Sequence, residues 1–160
     1  RHHLHRSLYQ LLHKLTDTDR QQLLRELRAW AGAEPIGRPT HRTLSHHEVV
    51  QLAEGGLIEV GAHTVTHPML SALSVVEQRD EIRRSRAHLE GILNRPVTSF
   101  AYPHGSYTKE TLAVVREAGF ACASSSEPDA VCTNADCFQL PRIVVRDWDR
   151  EAFTRWLRRW

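Results

Sequence analysis

Long apolar runs are missing from this sequence. Nowhere do about 18 consecutive apolar residues follow one another, so no transmembrane helix is expected. No charged segment followed by an apolar stretch opens the chain, so no signal segment is expected within these residues. A dominant charge is missing too: 21 Lys and Arg stand against 19 Asp and Glu, a net of +2. That surplus is too small for a protein that grips a polyanion through many phosphate contacts, so no nucleic-acid partner is expected. Cysteine is scarce and odd in number, with Cys122, Cys132 and Cys137 only, which excludes a complete disulfide framework. Cys132 and Cys137 bracket a polar loop where a short-range disulfide could form, but no second Cys pair follows at zinc-knuckle spacing. Eight glycines and seven prolines in 160 residues exclude collagenous and low-complexity chains. With 41% hydrophobic and 25% charged residues the composition is that of a globular domain large enough to build its own core.

Histidine is what the chain has in excess, eleven in all, and its first residue is Arg1 rather than an initiator Met. Leu4, Leu8, Leu11, Leu12 and Leu15 recur at spacings of three and four, which predicts an amphipathic helix. Thr16 to Asp19 read as a break and N-cap before a second stripe of Leu23, Leu24, Leu27 and Trp30, ended by Gly32. Residues 1–43 are therefore expected to form a helical insertion or linker segment, and residues 44–160 an α/β domain. In the latter, Ser45 and Glu48 form a capping box for a short helix through Ala53. Strands are expected at Leu57–Gly61, Val97–Tyr102, Phe120–Ala123 and Ile143–Val145. Helices are expected over about 75–93, 109–118 and at the C-terminus, where Phe153, Trp156, Leu157 and Trp160 make an apolar stripe. Alternating strands and helices imply right-handed β-α-β units and a mainly parallel sheet or barrel.

In such architectures ligands sit on the loops that follow strands. Two loops are chemically loaded. In the first, Gly61 to Pro68, His63 and His67 lie four apart. In an extended strand their side chains would stand about 13 Å from one another, so they meet on one metal only if the intervening residues turn. Neutral imidazole is a preferred zinc ligand, and such a site needs at least a third protein ligand. The competing reading is coincidence in a chain this rich in histidine; His2, His3, His5, His46 and His47 have no such context and read as surface residues. In the second loop, Phe100 to Ser106, Pro103 and Gly105 bracket His104 in a turn that can present its backbone N–H to a ligand. One such donor to an oxyanion is worth about 2.7–4 kcal/mol in acyl transfer. The same residues also make an ordinary tight turn.

The order and spacing of His63-Thr64-Val65-Thr66-His67-Pro68, a charged helix, Phe100-Ala101-Tyr102-Pro103-His104-Gly105 and a helix ending at Gly119 resemble the polysaccharide deacetylase family, the NodB-homology carbohydrate esterases. The likeness runs from about Leu44 to Trp148. It implies an incomplete distorted (β/α) barrel preceded by a helical segment, and a metal-dependent hydrolase that removes N-acetyl groups from an N-acetylglucosamine-containing polysaccharide or glycan. It further implies that His63 and His67 hold zinc or another divalent metal and that the His104 backbone N–H stands at the oxyanion position. Tyr102, Pro103 and Gly105 would line the groove. Arg142 would be a groove residue or a surface ion-pair partner, and Trp148 a wall under a sugar ring or a packing residue. The setting implied is the cell envelope or the exterior.

Three departures accompany these matches. The family's Asp-Asp strand end, source of the third ligand and the general base, has no counterpart here; Asp17 and Asp19 sit in a polar helix break. No histidine follows His104, and Ala101 stands where an arginine is often found. The expectation is a chain truncated at its N-terminal side and inactive alone, with a non-catalytic carbohydrate-binding remnant as the alternative. A third class, a nucleic-acid or membrane-surface module built on Arg155, Trp156, Arg158, Arg159 and Trp160, is disfavoured because the aromatic stripe is the helix's own packing face.

Overall fold

The structure, a computed structural model, describes residues 2–12, 15–37 and 39–158. The chain divides into two compact units, residues 1–45 and residues 46–160.

The first unit holds α1 (His2–Leu12) and α2 (Asp17–Trp30). The Thr16 hydroxyl accepts the Asp19 N–H at 3.2 Å and caps α2, whose first turn carries Asp17 and Asp19 against the helix dipole. Leu4, Leu8, Leu11 and Leu12 lie on α1, with Leu15 outside it, and Leu23, Leu24, Leu27 and Trp30 lie on α2, but neither helix contains a buried residue. Leu8, Leu12, Leu23, Leu24 and Leu27 are half-buried, and Trp30 is 87% exposed.

The second unit contains α3 (His46–Glu54), α4 (Val75–Leu93), α5 (Lys109–Glu117) and α6 (Arg150–Leu157) with β1 (Ser99–Ala101) and β2 (Cys122–Ser124). The strands pair in parallel, Phe100 opposite Ala123, with α5 as the crossover. Single parallel bridges extend the ladder on both sides, Ala62 to Phe100 and Ser124 to Leu140. Among the described residues the result is a narrow, open α/β arrangement. Its core joins Leu70, Ile82, Val97, Phe100, Tyr102, Val114, Val115 and Phe120.

Helix α4 is held at its start by a capping box between Ser74 and Glu77 and at its end by Asn94 in the left-handed region. Its buried face is Gln78, Ile82 and Ser85, flanked by Leu89 and Leu93. Val76, near the start of the helix, is 74% exposed. Ser85 is buried with its hydroxyl donating to the Ile82 carbonyl; Gln78 is buried with its amide donating to the Leu73 carbonyl, while its Oε1 has no partner among the described residues.

Two expected strands do not form. Leu57 is 95% exposed, and this segment joins β1 through a single bridge at Ala62, whose N–H donates to the Ser99 carbonyl and whose carbonyl accepts from Ala101. An apolar run becomes a buried strand only where something covers it. At the other end the ladder stops at Leu140, because Pro141 has no N–H to donate. Val144 and Val145 beyond it are exposed. All three cysteines are free thiols, so the Cys132–Cys137 bond is not made.

Candidate functional site

The His63–His67 loop is folded back on itself by two residues in the left-handed region, Thr64 (φ 65°) and His67 (φ 58°). Non-glycine residues there cost about 1–3 kcal/mol each and persist only where surrounding contacts hold them. The Thr64 hydroxyl accepts the His67 N–H at 3.1 Å. From α4 the Glu81 carboxylate reaches the loop: Oε2 accepts the N–H groups of Val65 (2.7 Å) and Thr66 (2.9 Å), and Oε1 accepts the Thr66 hydroxyl (2.8 Å). The turn brings the two imidazoles to a centroid separation of 4.8 Å. Two imidazoles sharing one zinc at Zn–N distances of about 2.0–2.1 Å have centres roughly 5 Å apart, so the pair fits a shared cation.

His63 Nδ1 lies 2.7 Å from the carbonyl of Ala101, at the end of β1. A carbonyl only accepts, so Nδ1 carries the proton and the Nε2 lone pair is left to face a metal.

The second loop follows β1 directly. Gly105 N–H donates to the Tyr102 carbonyl at 3.0 Å and Ser106 N–H to the Pro103 carbonyl at 2.9 Å, closing a turn with His104 at φ 56° and Gly105 at φ 66°. A Cβ on Gly105 would stand 1.8 Å from the Ser126 hydroxyl, so only glycine fits. The two loops are tied together by Ser71 and Ser106, whose hydroxyls are 2.6 Å apart. The His104 ring packs edge-on against His67 at 4.4 Å, placing His67 beside both His63 and His104.

Tyr102 and Pro103, expected along the groove, are wholly buried. Tyr102 donates its hydroxyl to the Phe138 carbonyl at 2.9 Å, and its ring packs against Phe100 and Tyr107. Burial pushes its phenol well above the usual range, so it stays a donor. These two residues hold the turn from below, and Gly105 and His104 form its outer part. Arg142 is exposed, donates from Nε to the Ser125 carbonyl at 2.7 Å, and enters none of the ion pairs found among the described residues. It thereby braces the segment whose Ser126 hydroxyl donates to the His104 carbonyl at 3.5 Å. Trp148 is half-buried and packs on Trp156 of α6 at 5.4 Å, with Phe153 beyond it. Arg159 and Trp160 lie outside the described residues.

Neither Glu81 nor the imidazole of His104 was flagged by spacing. Glu81 adjoins the buried Ile82, a register visible only once the packed face of α4 is known. Elsewhere, a groove of about 550 Å³ between α3 and α4 is lined by His46, His47 and His88, with the rings of His46 and His88 5.5 Å apart. Among the described residues no group of three His, Cys, Asp or Glu side chains is placed to hold a metal ion. The His63–His67 pair fits a metal as two donors of an unfinished set. Asp17 and Asp19 are engaged at the start of α2, with Arg20 and Thr16.

Comparison with known proteins bears on this geometry. A family profile described as polysaccharide deacetylase matches residues 18–123. The match starts within α2 and ends within β2, taking in both loops but not Arg142 or Trp148. The Bacillus subtilis protein YxkH, named as a polysaccharide deacetylase, is 27% identical over 110 residues, or 69% of this chain and 38% of its own length. A poly-beta-1,6-N-acetyl-D-glucosamine N-deacetylase of Staphylococcus aureus is 27% identical over 127 residues, or 73% of this chain and 42% of its own. The chain thus spans about two fifths of the curated relatives it matches. Among solved structures, the Streptococcus pyogenes deacetylase PplD superposes with a TM-score of 0.64 at 24% identity, covering 73% of this chain and 52% of that one. The BpsB deacetylase domain from Bordetella bronchiseptica gives 0.62 at 17% identity, covering 69% and 52%. Both likenesses concern the fold.

Proposed function

The chain belongs to the polysaccharide deacetylase family, and from that premise we propose that it carries the histidine-pair and oxyanion-loop half of a metal-dependent N-deacetylase site. The substrate class is a polysaccharide or glycan containing N-acetylglucosamine, in keeping with the polymer for which the Staphylococcus aureus relative is named. Action on such a polymer puts the protein in the cell envelope or outside the cell. No described helix is long and apolar enough to cross a membrane.

The observation that carries the reading is the His63–His67 pair, folded to 4.8 Å with the Nδ1 proton of His63 committed to the Ala101 carbonyl. His63 and His67 would hold zinc or another divalent cation through ring nitrogens. A bound zinc would supply Lewis-acid polarisation of an acetamide carbonyl. The chain's own residues do the rest of what it can offer. The His104–Gly105 turn approaches the site without a side chain at Gly105, and the His104 N–H is assigned the role of donor to the developing oxyanion. Arg142 keeps the neighbouring Ser125–Ser126 backbone in place against that turn. Neither an acidic third ligand nor a general base is grouped with the pair among the described residues. Acetamide hydrolysis needs a base to take a proton from the attacking water. The chain by itself is therefore expected to bind metal and not to turn over.

Zinc titration by calorimetry and an acetate-release assay on a β-1,6-linked N-acetylglucosamine polymer test both halves. The expected result is saturable zinc binding, lost in His63→Ala and His67→Ala, with no acetate above the uncatalysed rate. Acetate release by the 160-residue chain would refute the missing-base argument. Failure to bind zinc would refute the metal assignment. That no third donor is grouped with the pair among the described residues also favours a second reading, a carbohydrate-binding remnant. Saturable binding of an N-acetylglucosamine oligomer with no metal requirement would select it.

A further inference from the structure

We propose that Glu81 is a positioning residue for the His63–His67 pair: its carboxylate holds the intervening backbone in the turn that lets both imidazoles reach one cation. The inference rests on the metal-pair reading above and adds to it a residue that touches neither metal nor substrate.

The sequence between the histidines has no intrinsic reason to turn. Val65 is β-branched and Thr64 and Thr66 both favour extended backbone, in which His63 and His67 would stand about 13 Å apart. Yet Thr64 and His67 occupy the left-handed region, and neither is a glycine. Packing does not enforce this, because Val65 at the tip of the loop is 48% exposed. Polar ties do. Within the loop, the Thr64 hydroxyl accepts the His67 N–H. From outside it, one carboxylate takes up two consecutive backbone N–H groups and a hydroxyl. Consecutive N–H groups converging on one oxygen require a curled backbone, since in a strand they point to opposite sides. The Glu81 contact and the turn therefore stand or fall together.

Glu81 is suited to this by its position. It precedes Ile82, which is wholly buried, on a helix fixed at its N-terminus by the Ser74–Glu77 capping box. The carboxylate is thus delivered from a rigid element, which limits how far the loop can relax. Both of its oxygens accept from the loop, and among the described residues no group of three His, Cys, Asp or Glu that could hold a metal includes it, so its role is taken as acting on ligand geometry. Groups that orient metal-binding side chains typically change metal affinity about 10–100-fold when removed.

The test measures zinc affinity and thermal stability side by side in the full chain. Glu81→Ala should weaken zinc binding about tenfold or more. Thr66→Val, which deletes only the hydroxyl contact, should weaken it by a few-fold at most. Glu77→Ala serves as the control, because it strips the capping box of the same helix and leaves the loop untouched. It should lower the melting temperature and leave zinc affinity unchanged. Glu81→Gln keeps one carbonyl acceptor in the same shape and covers the case in which Glu81→Ala does not fold; it should give an intermediate loss. Amide hydrogen exchange adds an independent readout, with Val65 and Thr66 protected in the wild type and exchanging faster in Glu81→Gln. Unchanged zinc affinity in the Glu81 variants beside a wild type that binds would overturn this inference and leave the metal pair standing. A wild type that binds no zinc would overturn both.

Discussion

Residues 1–45 and 46–160 use helices of similar pattern to different ends. In α1 and α2, leucines recur at helical spacing, yet no residue in either helix is buried. In α4, which carries four arginines and three glutamates, Gln78, Ile82 and Ser85 are all buried. The difference lies in what each helix meets. Helix α4 packs on α5 and α3 beside a short parallel sheet, which covers its inner face, polar residues included. Amphipathicity marks a face that could be covered and leaves open whether it is.

The sharpest way to break this contrast is a pair of leucine-sized truncations. Ile82→Ala, at a fully buried site, should cost about 2–5 kcal/mol in a denaturant melt. Leu24→Ala, on the half-buried stripe of α2, should cost about 1 kcal/mol. Equal losses would mean that the leucine stripe contributes as much as the sheet-packed core.

Two glycines sharpen the comparison further, because they share a backbone conformation and differ in surroundings. Gly32 has φ 59° with nothing near a hypothetical Cβ, whereas Gly105 has φ 66° with the Ser126 hydroxyl 1.8 Å away. Gly32→Ala should therefore cost only the backbone term, about 1 kcal/mol. Gly105→Ala adds a steric clash and should cost about 2–4 kcal/mol. Ser126→Ala in that background should recover part of the loss, read as a rise in melting temperature.

The smallest effect concerns acid. Backbone and side-chain hydrogen bonds from Phe138, Gln139 and Arg116 hold the Asp136 carboxyl down at about 2. A carboxylate whose folded pKa is depressed stabilises the fold above its ordinary value near 4, and loses that contribution as pH falls toward 2. Asp136→Asn should therefore flatten the dependence of melting temperature on pH between about 4.5 and 2. An unchanged slope would show that the Asp136 contacts add nothing to stability. Asp17→Asn, in the exposed pair with Arg20, should shift stability by no more than about 0.5 kcal/mol at neutral pH.

Much of the fold was legible beforehand. The start of α2 was legible from the N-cap at Thr16; Ser74, Thr108 and Asp149 start their helices by the same kind of local hydrogen bond. The strands at Phe100 and Ala123 were legible as short apolar runs between helices. Leu57–Gly61 and Ile143–Val145 have the same composition and stay outside the ladder, because strand formation depends on a partner. At the site, the histidine pair and the Pro103–Gly105 turn could be read from spacing. The burial of Tyr102, the ring of His104 against His67, and Glu81 could not, since each depends on residues 15 to 37 positions away.

What the sequence determined alone is local: where the second helix starts, that two histidines four apart follow an apolar strand-like segment, and that Pro103 and Gly105 bracket a turn. It also carried the family, through the order of two loop motifs. Whether the two histidines meet was decided by tertiary structure. A four-residue spacing is compatible with 13 Å or with 4.8 Å, and a carboxylate on a packed helix, hydrogen-bonded to consecutive amides, is the contact that goes with the shorter distance.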